Sequence, residues 1–178
     1  MTLPKMRTWS AREVVTDAML NEQIRDVNAY LSDPPWFECG ITGSKAITGG
    51  AVTSFVWDAA SANGFKINKN SAGRVASLTV QEPGLYRVHL ALAGKFDPAP
   101  SHIFSYVRLN GAYGLRGSTT TDSPSYADTS NADGLLVLKS GDILTTQVYA
   151  TNGRTGSIGS TSGEVIVTKF IANWVGVA

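Results

Sequence analysis

The chain has 178 residues, a formal net charge of +1 and 16% charged residues, enough for one ordinary domain with a buried core and too little for a second, enzyme-sized one. No run of Lys and Arg exceeds a pair, which removes the electrostatic footprint of a nucleic-acid or membrane-surface binder. No stretch reaches the roughly 18 consecutive apolar residues of a spanning helix, and the single cysteine, Cys39, has neither a disulfide partner nor zinc-ligand spacing around it and reads as a buried thiol.

The first residues, Met1 to Glu13, lack the apolar core of a signal peptide, so synthesis in the cytosol is expected. From Ser10 to Leu31 the pattern is helical. Ser10-Ala11-Arg12-Glu13 fits a capping box, and Thr16 is a second candidate cap with Val15 and Leu20 placed as a hydrophobic staple. Leu20, Ile24, Val27 and Leu31 then line one narrow apolar seam. Such a seam packs either on the chain's own head or in a short helix bundle between protomers, since under three heptads is marginal alone. Asp33-Pro34-Pro35 ends the helix.

The chain thereby divides into a helical anchoring arm (residues 1–35), an extended Gly- and Thr-rich linker (36–53) and a head (54–178). In the head, strands are expected at residues 54–58, 65–67, 75–80, 84–93, 103–109, 134–139, 143–151 and 164–176, the pattern of an all-β antiparallel sandwich or jelly roll. Tyr86, Val88, Leu90 and Leu92 share one strand face against Arg87 and His89 on the other. Lys139-Ser140-Gly141-Asp142 joins two alternating runs and is expected to close a hairpin.

Convergent chemistry is sparse. His102 sits in a Pro-rich connection and His89 on a strand face, no Gly-x-Ser-x-Gly elbow occurs, and the Gly-rich run from Gly153 to Gly159 lacks the ending of a P-loop. No catalytic residue, cofactor or metal site is assigned and no enzymatic activity is expected. Two polar segments, 116–133 and 152–163, read as loops, solvated or offering a binding surface through Tyr126, Asp128 and Arg154. Asp122, Asp128 and Asp133 carry oxygen ligands for a hard cation, but their spacing matches no EF-hand. Tyr113 is either an exposed stacking aromatic or a core residue at a strand end.

Several motifs in order resemble the C1q/TNF-like jelly roll: Phe55-x-Trp57, Gly73-Arg74-Val75, Glu82-Pro83-Gly84-Leu85-Tyr86-Arg87-Val88, Tyr106-Val107-Arg108-Leu109-Asn110-Gly111, Leu135 through Asp142, and Thr168-Lys169-Phe170-Ile171-x-x-Trp174. The resemblance implies a compact homotrimer. The segment from Trp9 to Pro35 resembles the opening of virion structural proteins, often minor tail proteins, of actinobacterial tailed phages. That implies a virion location at the tail or as a capsid decoration or fibre, other virion proteins as partners, and a head facing outward for stabilisation or attachment to a host-surface glycan. A glycan-binding module not tied to a virion is the alternative. The acidic calcium-type clusters of some C1q heads and their collagen-like Gly-x-y repeat are not evident.

Overall fold

The computed structural model describes residues 12–159 and 168–177, and within the helix not the side chains of residues 22, 23, 26, 27, 29 and 30. Helix α1 spans Asp17–Ser32. Its start settles between the two candidate caps: the Thr16 hydroxyl accepts the Met19 amide at 3.3 Å, and Asp17 occupies the first turn, where a carboxylate favours the helix dipole. The Ser10 capping box lies outside the described residues. Pro35 accepts the Trp174 amide through its carbonyl at 2.9 Å, and the Asp33 carbonyl accepts Asn63 Nδ2 at 3.0 Å, so the chain leaving the helix is tied to the head at once.

Thirteen strands follow among the described residues, in two antiparallel sheets. The first sheet is built on the long β7 (Gly84–Asp97). Along one side it pairs β13 (Lys169–Gly176) and then β12 (Thr155–Ile158), and along the other β10 (Asp128–Leu138). Next to β13 lies β1 (Trp36–Gly40), then β4 (Ala59–Asn63), while β2 (Lys45–Thr48) pairs β12. The second sheet runs β5 (Phe65–Lys69), β6 (Val75–Val80), β11 (Ile143–Ala150), β8 (Ser101–Leu109), β9 (Ala112–Thr121), with β3 (Thr53–Phe55) on β11. This is an antiparallel jelly-roll sandwich preceded by one short helix.

The core is aromatic. Phe37 packs on Phe65 and Phe170 with ring centroids at 4.9 and 4.7 Å, and Phe65 on Tyr86 at 5.2 Å. Each such side chain removed from water contributes about 1.5–3 kcal/mol. Buried polar atoms are paired: Trp57 Nε1 donates to Thr146 Oγ1 at 3.0 Å, which donates to the Phe55 carbonyl at 3.0 Å. Ser105 of the second sheet meets Ser130 of the first, Oγ to Oγ at 2.9 Å. The alternation expected for β7 holds, with Tyr86, Val88, Leu90 and Leu92 fully buried and Arg87 exposed.

Three expectations are corrected. Residues 36–53 are not a linker. They carry β1 in the interior of the first sheet, with Phe37 and Cys39 in the core, followed by β2 and the start of β3, so the head begins at Trp36 rather than at residue 54. The Lys139–Asp142 turn forms, with Gly141 at φ 92° and the Asp142 amide donating to the Lys139 carbonyl at 3.0 Å. It closes no hairpin, however, because β10 pairs β7 in the first sheet while β11 pairs β6, β8 and β3 in the second. Turn chemistry reverses the chain, but which strands then pair is decided by the long-range core. The polar segments shrink too: β9 and the first half of β10 leave only residues 122–127 as a loop, and β12 occupies 155–158. Of the last expected strand, residues 169–176 form β13, while 164–167 lie outside the described residues.

Strand directions give the head two ends. Pro35, Gly84, Asn110-Gly111, the Lys139–Asp142 turn and Gly176 lie at the end where the helix joins. The turn after Thr48, the β7–β8 connection, the loop 122–127 and the turn 151–154 lie at the opposite end.

Candidate functional site

The helix seam is uncovered. Leu20, Ile24 and Leu31 are 43%, 57% and 61% exposed, so the head does not bury them. The Val27 side chain lies outside the described residues.

A second uncovered apolar surface lies on the outer face of the first sheet, at the end nearest the helix. β10 alternates so that Ala132 and Leu138 turn inward while Asp133, Leu135 and Val137 turn outward. Leu135 and Val137 are 59% and 54% exposed, and Val175 on β13 is 50% exposed. Register sets Val137 opposite Leu85 and Leu135 opposite Arg87 on β7, and Val175 lies at the β13 bulge between Trp174 opposite Tyr86 and Gly176 opposite Leu85. Beside the patch Arg87 holds Asp133 through two contacts, Nη2 to Oδ2 at 3.2 Å and Nε to Oδ1 at 3.5 Å, with His89 Nδ1 at 3.6 Å. The Arg87 hydrogen bond keeps the Asp133 carboxyl below its ordinary value. Arg87, His89, Asp133, Ile171 and Asn173 line a recess of about 290 Å³. Apolar side chains around one fixed ion pair suit a protein contact whose register the charges set.

The loop residues expected to bind do not form one site. Tyr126 is 67% exposed in the 122–127 loop, Asp128 opens β10 opposite Gly94, and Arg154 sits in the turn after β11, its carbonyl accepting the Gly49 amide at 2.8 Å. All three belong to the end remote from the helix, but β7 stands between β10 and β12. Nor are the three aspartates gathered: Asp128 and Asp133 fall on opposite faces of β10 and Asp133 is held by Arg87, while Asp122 lies in the loop. Among the described residues no group of three His, Cys, Asp or Glu converges. Cys39 is fully buried, and burial, with Glu38 adding to it, pushes its thiol up to about 12, so it stays neutral and inert.

One larger cleft, about 520 Å³, opens beside β2 and β3 around Lys45, Asp58 and Arg74. Burial alone would raise the Asp58 carboxyl, but Lys45 Nζ at 2.7 Å and the Thr42 amide at 3.0 Å outweigh it and hold the group below its ordinary value. The carboxylate is thus committed to its neighbours and ties the β1–β2 connection to the residues before β4.

No protein-family model and no curated protein matches the sequence. Solved structures do. Murine APRIL, crystallised at pH 5.0, aligns with a TM-score of 0.56 at 13% identity, over 79% of this chain and 98% of its own. The Eiger TNF of S. frugiperda aligns with a TM-score of 0.51 at 16% identity, over 81% of this chain and 92% of its own. At such identities the likeness concerns the fold, and the head is a TNF-like jelly roll.

Proposed function

We propose that this chain is a non-catalytic structural subunit of a bacteriophage particle, a homotrimer whose arm anchors to other virion proteins and whose head faces outward for stabilisation or attachment to the host surface. The observation that carries the reading is the polarity of the surface. The larger group of uncovered apolar side chains, Leu20, Ile24 and Leu31 on the helix and Leu135, Val137 and Val175 on the first sheet, lies towards one end, and the polar loops, with Val52 and Tyr126 as the exposed exceptions, lie at the other. Three heads meeting through the first-sheet faces would bury that patch, as the C1q/TNF resemblance implies, and would bring three helices together at the anchoring end. The virion assignment rests on the likeness of the segment from Trp9 to Pro35 to the opening of phage minor tail proteins.

Mass spectrometry of purified particles from the genome that encodes the chain tests this. Its peptides are expected in intact particles, in copy numbers divisible by three, and absent from particles whose gene lacks codons 1–32. Particles free of the protein, or particles that retain the head without its arm, contradict the reading.

A further inference from the structure

The outer face of the second sheet combines aromatic side chains with cations that have no carboxylate beside them among the described residues. On β8 the residues turned away from the core are His102, Phe104, Tyr106 and Arg108, because Ser101, Ile103, Ser105 and Val107 turn inward. Their partners on β9 include Thr120, Ser118, Arg116 and Tyr113. Tyr106 lies 5.2 Å from Tyr113, Phe104 lies 5.8 Å from Tyr149 of β11, and both arginines lie on aromatic rings. Arg108 stands over Tyr113 at 3.8 Å, and Arg116 over Phe104 at 4.6 Å. Tyr113 is nonetheless 64% exposed. Gln147, Thr145 and Thr79 add hydrogen-bonding groups between the aromatics and Lys66 of β5.

The charge on this face has one sign. Its outward positions on β5, β6, β11, β8 and β9 hold Lys66, Arg108 and Arg116 and no carboxylate, in a chain whose net charge is only +1. By contrast, Arg87 on the outer face of the first sheet has Asp133, and Lys45 has Asp58. Arg108 also buries Nη1 without an acceptor among the described residues. Guanidinium groups resting on rings keep their charge and their remaining donors for a ligand.

We propose that this face binds an extended anionic polysaccharide, the ring C–H groups of one sugar lying on the open side of Tyr113 and acidic groups of the chain paired with Arg108 and Arg116. The exposed aromatic supplies apolar area without a deep pocket, the threonines and Gln147 suit sugar hydroxyls, and the unpaired cations select a carboxylate- or phosphate-bearing chain over a neutral one. Three cations over a six-stranded face are too few for the dense phosphates of a polynucleotide, and the Phe104 ring is already covered by Arg116. The proposal rests on the attachment half of the reading above and moves it from the remote loops to a sheet face.

Calorimetric titration of the full chain tests it, with polygalacturonate and phosphomannan as carboxylate and phosphate probes and amylose and oligothymidylate as comparisons. Binding to at least one anionic glycan is expected, weakened tenfold or more by Tyr113→Ala and by Arg108→Gln, with unfolding midpoints confirming that both variants fold. Indifference of either folded variant, preference for amylose or oligothymidylate, or no binding to either anionic glycan overturns the proposal. Solution mass separates the two readings. A monomer that binds polygalacturonate through Tyr113 overturns trimer assembly alone, and a trimer that binds neither anionic glycan overturns the sugar face alone.

Discussion

Arm and head treat apolar side chains in opposite ways across the three-residue junction between α1 and β1. Leu31 is 61% exposed at the end of the helix, whereas Phe37 is 1% exposed near the start of β1. The head satisfies its own core, with Phe170, Phe37, Phe65 and Tyr86 in successive ring contacts. The helix displays its seam and lacks a partner among the described residues of its own chain that would bury it. A sixteen-residue helix gains little from propensity alone and takes its stability from whatever covers its apolar side. The contrast separates a head that covers its own core from a helix whose apolar seam its own chain leaves open.

Changes in the buried core of the head should act on folding, and changes at the uncovered arm and sheet surfaces on assembly. The largest effect is expected from Phe37→Ala, about 3–5 kcal/mol of unfolding free energy from the cavity in an aromatic cluster. An unchanged urea midpoint would return residues 36–40 to the role of a linker. Alkaline pH reaches the same region through Cys39. Its folded-state value of about 12 stands above the ordinary 9.0, so stability is full below pH 9 and falls by about 1.4 kcal/mol per pH unit as the pH rises from there towards 12. Cys39→Ala should flatten that slope in denaturation series at pH 8 to 11.

Gly117→Val should cost at least about 1–3 kcal/mol, because any Cβ at Gly117 overlaps the Asn131 carbonyl where β9 passes β10. Ile24→Asp should change the unfolding of the head by less than about 0.5 kcal/mol yet reduce incorporation into particles, and normal incorporation would remove the arm from assembly. Smallest of all, Tyr126→Ala should leave stability within about 0.5 kcal/mol and assembly unchanged, as differential scanning calorimetry and light scattering would show.

The parts of the fold that could be read from sequence were those that bury large apolar residues at a regular period. β7 and β11 do so, with Leu144 and Val148 inward beside Thr146. The rest was hidden because its inward positions are small or polar. In the first half of β10 the buried residues are Ser130 and Ala132, and in β9 they are Gly117 and Thr121. There the sheets approach through a glycine and a serine pair, which leaves no hydrophobic alternation to detect. One signal was present: Asn110 and Gly111, both at positive φ, form the kind of turn that closes a two-residue hairpin and announces β9. β1 is short, with only Phe37 and Cys39 to show its period. At the candidate sites, the helix seam was legible from spacing. The patch of Leu135, Val137 and Val175 was not, since β10 and β13 meet only through β7.

In the proposed trimer the uncovered surface at the arm end of the molecule is covered by two further copies of the same chain. Light scattering on a sizing column, applied to the full chain and to its Val137→Asp variant, tests it most directly. The account predicts three times the 18.9 kDa protomer mass for the full chain, and the mass of a folded single chain for the variant. A folded full chain at the mass of one protomer, or a variant that remains threefold, would contradict it.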